Sequence, residues 1–326
     1  RPGVDGTATG IETARPRRPA TLGCFPMTTE PATAPSPSGT ATDVRIGILC
    51  MLAAMLAFTV MDSLSKHLVR TQDPLQVVWG IYVVQAVVLC TVMARRLPRL
   101  LPSRQVGLQA LRAALLVATS VCYVTGLRHV PLAEAGAIAM LAPLAFTALA
   151  VPFLKERVGL RRWAGVAAGF LGAMIIIRPG TEAMQVAALL PLAAALLHAL
   201  YQVVTRFVAR EDSVLTTLTY SVLFCALIMT PVVPFHWVPM EASQWGLLAA
   251  AGIAGIIAEY ALIQSLARTS AAVVAPYTYS YLLWAALVGL IVFGDRPDVW
   301  AALGAAVIVM SGIYVWRRER AAGQGG

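Results

Sequence analysis

Ten apolar runs of roughly twenty residues follow one another between residues 44 and 316, at about 44–66, 74–94, 108–127, 132–154, 160–178, 185–206, 214–234, 243–266, 271–293 and 297–316. A hydrocarbon core about 30 Å thick takes roughly 20 apolar residues per crossing helix. Strands of a membrane barrel would be about ten residues long with alternating polarity, and these runs are longer and continuous. Lipid offers the backbone no hydrogen-bond partner, so such runs fold as helices. The chain is 58% hydrophobic and 13% charged, more apolar surface than one soluble core absorbs. The expected fold class is an all-α polytopic membrane protein with ten transmembrane helices.

Both ends differ in kind. Residues 1–43, with "TTEPATAPSPSGTATD", are too rich in Pro, Thr, Ala, Gly and Ser to bury a core and are expected to be a disordered tail, as are residues 320–326. The first methionine is Met27, and translation of the natural product is expected to start there. The first apolar stretch is longer than a signal-peptide core and lacks a clear small-residue cleavage site.

Orientation follows from where Lys and Arg fall. One alternating set of connections carries fifteen, including Arg95, Arg96, Lys155, Arg157 and Arg317; the other carries five, Lys66, Arg70, Arg128, Arg178 and Arg296. Both termini are therefore expected on the cytoplasmic side of the cytoplasmic (inner) membrane. This asymmetry accounts for the net charge of +9 without a nucleic-acid partner. Cys50, Cys90, Cys122 and Cys225 sit in apolar spans and Cys24 in the tail, with no metal or redox spacing, so no metal or other cofactor is expected.

The second half matches the first at an offset of 139 positions, aligning Leu127 with Leu266, Leu144 with Leu283, Arg157 with Arg296 and Gly165 with Gly304, and setting Glu156 opposite Asp295. Five helices per half is an odd number, which forces the halves into opposite orientations: two inverted five-helix repeats, at 44–180 and 181–319.

The block "RHVPLAEAGAIAMLAPLAFTALAVPFLKERVGLRRWAGVAAGFLGAMIIIRPG", residues 128–180, resembles the first EamA-type repeat of the drug/metabolite transporter superfamily, and "APYTYSYLLWAALVGLIVFGDRPDVWAALGAAVIVMSGIYVWRRE", residues 275–319, resembles the second. The resemblance implies a ten-helix carrier of small metabolites, often an exporter, with a central cavity between its halves, and leaves the solute open. Relatives often carry an arginine shortly after the second-helix tryptophan, where "VVWGIYVVQ" has Gly80 and Ile81. If that arginine holds an anion in relatives, a neutral or cationic solute is expected here.

Polar residues inside the spans mark the candidate pathway, because a polar group in hydrocarbon must find a partner or face water. Trp79, Tyr82 and Gln85 share a face of the second helix; His198, Gln202 and Thr205, with Tyr201 beside them, share one of the sixth; Tyr277, Tyr281 and Trp284 form a stripe on the ninth. Together they suit a flat or amphipathic organic solute. Interface anchoring and interhelical hydrogen bonding are the structural alternatives. Glu259, well inside the eighth helix, is a proton-coupling or cation-binding candidate, against a neutral carboxyl bonded to a neighbour. Asp62 and Lys66, in "VMDSLSKHLV", are four apart and expected to pair along the first helix as a structural clasp or gate. Glu134 opens the fourth helix, where the helix dipole favours it.

Gly165, Gly169 and Gly172 permit close helix packing or a homodimer edge. Metalloprotease, serine-hydrolase, Asp-rich prenyl-diphosphate and Walker motifs are absent from the sequence, which disfavours an intramembrane enzyme and direct ATP drive. The expected activity is alternating-access transport of a small organic metabolite, with export favoured, driven by its own gradient or by protons. A non-transporting sensor or accessory subunit is the alternative.

Overall fold

The computed structural model describes residues 41–95, 97–100, 102–154, 159–179, 186–209, 211–296 and 298–323. Ten principal helical segments follow in order: α1 Ala41–Leu68, α2 Pro74–Met93, α3 Val106–Leu127, α4 Leu132–Leu154, α5 Leu160–Ile177, α6 Leu189–Val208, α7 Val214–Met229, α8 Ala242–Arg268, α9 Ala275–Phe293 and α10 Val299–Gly323. No strand occurs among the described residues. The sequence dictates several starts. Asp73 accepts from the Leu75 backbone N–H at 2.8 Å with Pro74 in the first helical position, Ser213 caps α7, and Glu241 with Gln244 forms a capping box on α8.

The ten expected spans are met unevenly. Among the described residues, eight helices are long and apolar enough to cross a bilayer, while the apolar stretches of α5 and α7, Arg162–Ile177 and Val214–Met229, are shorter. At 1.5 Å per residue the 16 residues of α7 reach about 24 Å, short of a 30 Å core, and Arg161 and Arg162 begin α5 with charge. Helix α1 reaches back to Ala41, with Asp43 in its first turn where the dipole favours an acid, and α10 extends to Gly323. Residues 1–40 and Met27 lie outside the described residues.

Helix α9 is not uniform: a 3₁₀ turn over Ala275–Tyr279 gives way to α-helix over Ser280–Val288 and a π-helical turn over Gly289–Phe293, closed by Gly294 at φ 68°. That left-handed backbone is one glycine adopts without a Cβ clash.

Helix α1 packs on α8, α5 on α10, α3 on α6 and α7, and α2 on α7 and α8. The crossing of α5 and α10 is so close that a Cβ on Gly172 would lie 2.9 Å from the Gly304 carbonyl oxygen. The glycine face of α5 is therefore spent on packing inside the protomer rather than on a dimer edge. One buried cluster gathers α1, α4, α5, α9 and α10 around Leu141, Ile176 and Ile308; a second gathers α2, α3, α7 and α8 around Val77, Ala113 and Leu248.

Two contacts define the ends of the bundle. Lys66, in the last turn of α1, meets Asp295 just before α10, and Ser265, near the end of α8, bonds the Gly47 carbonyl near the start of α1 at 2.7 Å. The start of α1 and the end of α10 therefore share one end, called below the termini end.

Candidate functional site

At the end remote from the termini, the last two turns of α1 carry Asp62 and Lys66, and each is bonded elsewhere rather than to the other. Lys66 Nζ donates to Asp295 Oδ2 at 2.7 Å and to the Val130 carbonyl at 3.0 Å, while the Leu132 backbone N–H reaches the same Asp295 oxygen at 3.3 Å. The ammonium also lies 5.1 Å from the centre of the Phe293 ring. Asp62 accepts from the Tyr281 hydroxyl at 2.6 Å and the Tyr123 hydroxyl at 3.4 Å, and the two phenols are 2.8 Å apart. The expected pairing along one helix is thus replaced by two ties reaching to α9 and beyond. An exposed pair four apart gains only a few tenths of a kcal/mol, whereas a charge sealed off from water needs close, well-directed partners. Arg178 and Asp298 form a further ion pair between the α5 end and the α10 start.

Nearer the termini end, α3 contributes a residue the sequence reading passed over. Arg112 is 6% exposed. Its Nε donates to Thr205 Oγ1 at 2.7 Å, one terminal nitrogen to the Thr217 carbonyl at 3.0 Å and to Ser221, and the other to the Tyr201 hydroxyl. The guanidinium carbon is also 4.5 Å from the centre of the Tyr201 ring. All these oxygens are neutral. The signal was present in the sequence: Arg112 is the lone charged residue inside an apolar run, a residue type that is costly in hydrocarbon.

Around Arg112 stand His198 and Tyr201 of α6, stacked with ring centres 5.2 Å apart, and Glu259 of α8. The field of Arg112 acts on all three. Each lies deep among the helices yet retains some accessible surface. Gly255, one turn before Glu259, faces Met61 of α1 and Gln85 of α2, so this face of α8 looks into the bundle.

Further along α6, Gln202 and Arg206 border a cavity of about 380 Å³ at the termini end, between α4, α6, α9 and α10. Gln202, Arg206, Phe146, Tyr279 and Trp316 line it. A drug-sized ligand occupies a volume of this order.

The remaining candidates disperse. Tyr82 is buried with its hydroxyl 2.7 Å from Ser120, and Trp79 donates to Thr230 at 3.2 Å and packs edge-on to Trp237. On α9, Tyr281 joins Asp62, Trp284 packs against the core, and Tyr277 is 37% exposed. The 3₁₀ turn under Tyr277 advances about 120° per residue instead of 100°, which rotates it off the stripe that α-helical spacing predicts. Glu134 is buried in the first turn of α4. Gly80 packs against Leu248, whose side-chain carbons a Cβ there would crowd.

Apolar helices tied together at one end, hollow at the other and holding charge in their interior make up a polytopic membrane transporter for small solutes. The EamA-like transporter family model matches residues 45–178 and 185–317, two copies that span nearly all of the helical chain. The chain belongs to this family and is a transporter rather than an enzyme. It is 31% identical over 290 residues to a riboflavin transporter of Vibrio cholerae, covering 84% of this chain and 96% of that one. An S-adenosylmethionine uptake transporter of Rickettsia prowazekii is 24% identical, with 84% and 93% covered, and a pseudopaline exporter of Pseudomonas aeruginosa 25% identical, with 85% and 98% covered. A solved crystal structure of 20% identity superposes with a TM-score of 0.57 over 83% of this chain and 98% of the other, a likeness of fold. These comparisons, with the apolar helices, make it a multi-pass inner-membrane protein.

Proposed function

We propose that the protein moves a small organic metabolite across the inner membrane by alternating access, using ten spanning helices arranged as two inverted five-helix repeats with both termini cytoplasmic. Helices α5 and α7 complete the ten; flanking residues and local thinning of the bilayer accommodate their shorter apolar lengths. The observation that carries the reading is the contrast between the two ends. One is closed by Lys66–Asp295 and by the Tyr123–Asp62–Tyr281 cluster, ties that run from the first matched repeat to the second, and the other holds the cavity. In this reading the protein stands in the inward-facing state, and Asp62, Lys66 and Asp295 form the outer gate. The solute path comprises Gln202 in the cavity and Arg112, His198, Tyr201 and Glu259 deeper in, with Glu259 the group that meets a cation or proton. Export is the direction proposed, supported by a cavity placed to load from the cytosol.

The test is untargeted mass spectrometry of cytosol and medium from cells lacking the protein, overexpressing it, or overexpressing Glu259→Gln at equal membrane abundance. A metabolite that shifts between compartments with expression, and shifts less in the variant, is the expected result. A shift in the uptake sense overturns the export assignment, equal shifts in wild type and variant overturn the role of Glu259, and no shift under any nutrient condition overturns transport in favour of a sensor or accessory subunit.

A further inference from the structure

The cavity at the termini end is walled by hydrogen-bond donors and aromatic rings and, among the described residues, by no acid. Arg162 in the first turn of α5 and Arg206 in the last turn of α6 bring two guanidinium groups to it, with Gln202 one turn earlier on α6 and Tyr279 near the start of α9. The Arg206 guanidinium carbon lies 5.7 Å from the centre of the Phe146 ring, which holds that charge against the wall. Arg162, Gln202 and Tyr279 make no side-chain hydrogen bond or ion pair with the described residues, so their polar groups remain available to a ligand. A guanidinium offers five donors and no acceptor. Two of them on one concave wall, without a lining carboxylate, focus a positive potential into the space. The rings of Phe146, Tyr279 and Trp316 supply flat apolar surface beside that charge.

We propose that this cavity takes an organic anion with a flat apolar body, its carboxylate or phosphate on Arg162 with Arg206, Gln202 and the Tyr279 hydroxyl beside it, and its ring on Phe146 and Trp316. The inference rests on the carrier reading and deepens it by naming the class of solute. It departs from the neutral or cationic solute expected from Gly80 and Ile81: the cation absent from α2 is supplied at the cavity by α5 and α6.

The test uses full-length protein in phosphatidylcholine nanodiscs and two sets of probes that vary the charge on one ring system: indolepropionate, indolepropionamide and tryptamine, and 2-naphthylacetate, 2-naphthylacetamide and 2-naphthylmethylamine. Affinities are read by titration calorimetry, with propionate as an anion that lacks a ring. At least one aromatic acid is expected to bind about tenfold or more tighter than its amide, its amine and propionate. Arg162→Gln is expected to remove most of the preference for the acid while leaving the amide within about twofold of its wild-type affinity. Arg162→Lys, which keeps the charge, should retain part of the preference. Arg104→Gln, which removes an exposed arginine that does not line the cavity, should leave it unchanged. Size-exclusion chromatography checks that each variant stays folded and monodisperse. No preference for the acid in either set, a preference that survives Arg162→Gln, or one that Arg104→Gln removes equally, overturns the proposal. Phosphatidylglycerol at about a fifth of the lipid separates a soluble anion from a lipid phosphate, read as the ratio of wild-type to Arg162→Gln affinity so that the surface potential cancels. That ratio is expected to hold; its collapse to one assigns the arginines to a lipid headgroup and overturns the solute class. Counterflow in proteoliposomes separates the inference from the carrier reading. Acid binding without counterflow of any probe keeps the site and overturns transport, whereas counterflow of the amide or amine in preference to the acid keeps transport and overturns the anion assignment.

Discussion

Neutralising Asp295 tests the outer gate most directly. In Asp295→Asn the 2.7 Å contact with Lys66 loses its charge-charge component, while the Val130 carbonyl remains as an acceptor at 3.0 Å. Removing one partner of a fully buried pair costs about 3–5 kcal/mol, because the other charge is stranded. Lys66 is 7% exposed but Asp295 is 20% exposed, so water screens part of the loss and about 1–3 kcal/mol is the reasonable range. All of it falls on the state in which the gate is closed. The equilibrium should therefore shift toward the outward-open state by roughly 5–150-fold. The assay is maleimide labelling of single cysteines in a cysteine-free background, in detergent so that both ends are reached. Ala135, buried in the first turns of α4 near the gate, is one reporter, and Ala150, buried at the cavity, is the other. In Asp295→Asn the rate at Ala135→Cys should rise and the rate at Ala150→Cys should fall. Lys66→Met combined with Asp295→Asn should recover much of the closed state, since neither charge is then stranded. Rates at both reporters equal to those in the unmodified background, in the single and the double variant alike, would refute the gate.

Tyr281→Phe keeps the ring that Gly136 packs against but removes the hydroxyl that Asp62 and Tyr123 share; a loss of about 1–3 kcal/mol is expected in unfolding by denaturant, and a Tyr123→Phe variant, which removes only the 3.4 Å contact to Asp62 and one phenol-phenol bond, should lose less. Gly172→Ala places a methyl 2.9 Å from the Gly304 carbonyl and should lower stability by about 1–3 kcal/mol, whereas Gly107→Ala, with nothing within 4 Å, should be neutral or mildly stabilising by the same measurement. Gly312→Ala would set a methyl against the Tyr279 hydroxyl in the wall of the cavity, so solute counterflow should fall with little change in thermal stability.

The apolar runs by themselves determined a helical membrane protein, and the offset of 139 between halves its repeated build, because lipid leaves the backbone one local solution and run length counts the crossings. Single charges in such runs were legible as well: Asp62, Lys66 and Glu259 stand out because a charge in hydrocarbon is expensive wherever it sits, and Arg112 could have been found by the same rule. What each one touches was decided only by tertiary structure. Spacing of four along a helix pointed Asp62 at Lys66, yet the fold brings Tyr281 to the first and Asp295 to the second from more than two hundred residues away. The stripe on α9 failed at Tyr277 because a 3₁₀ turn changed the angular step, which no α-helical periodicity reveals. Periodicity states which side chains share a face of one helix; which faces meet, and therefore whether a charge is paired, sealed or left bordering an interior space, depends on how ten helices pack, with glycines such as Gly80, Gly172 and Gly304 setting where they come closest.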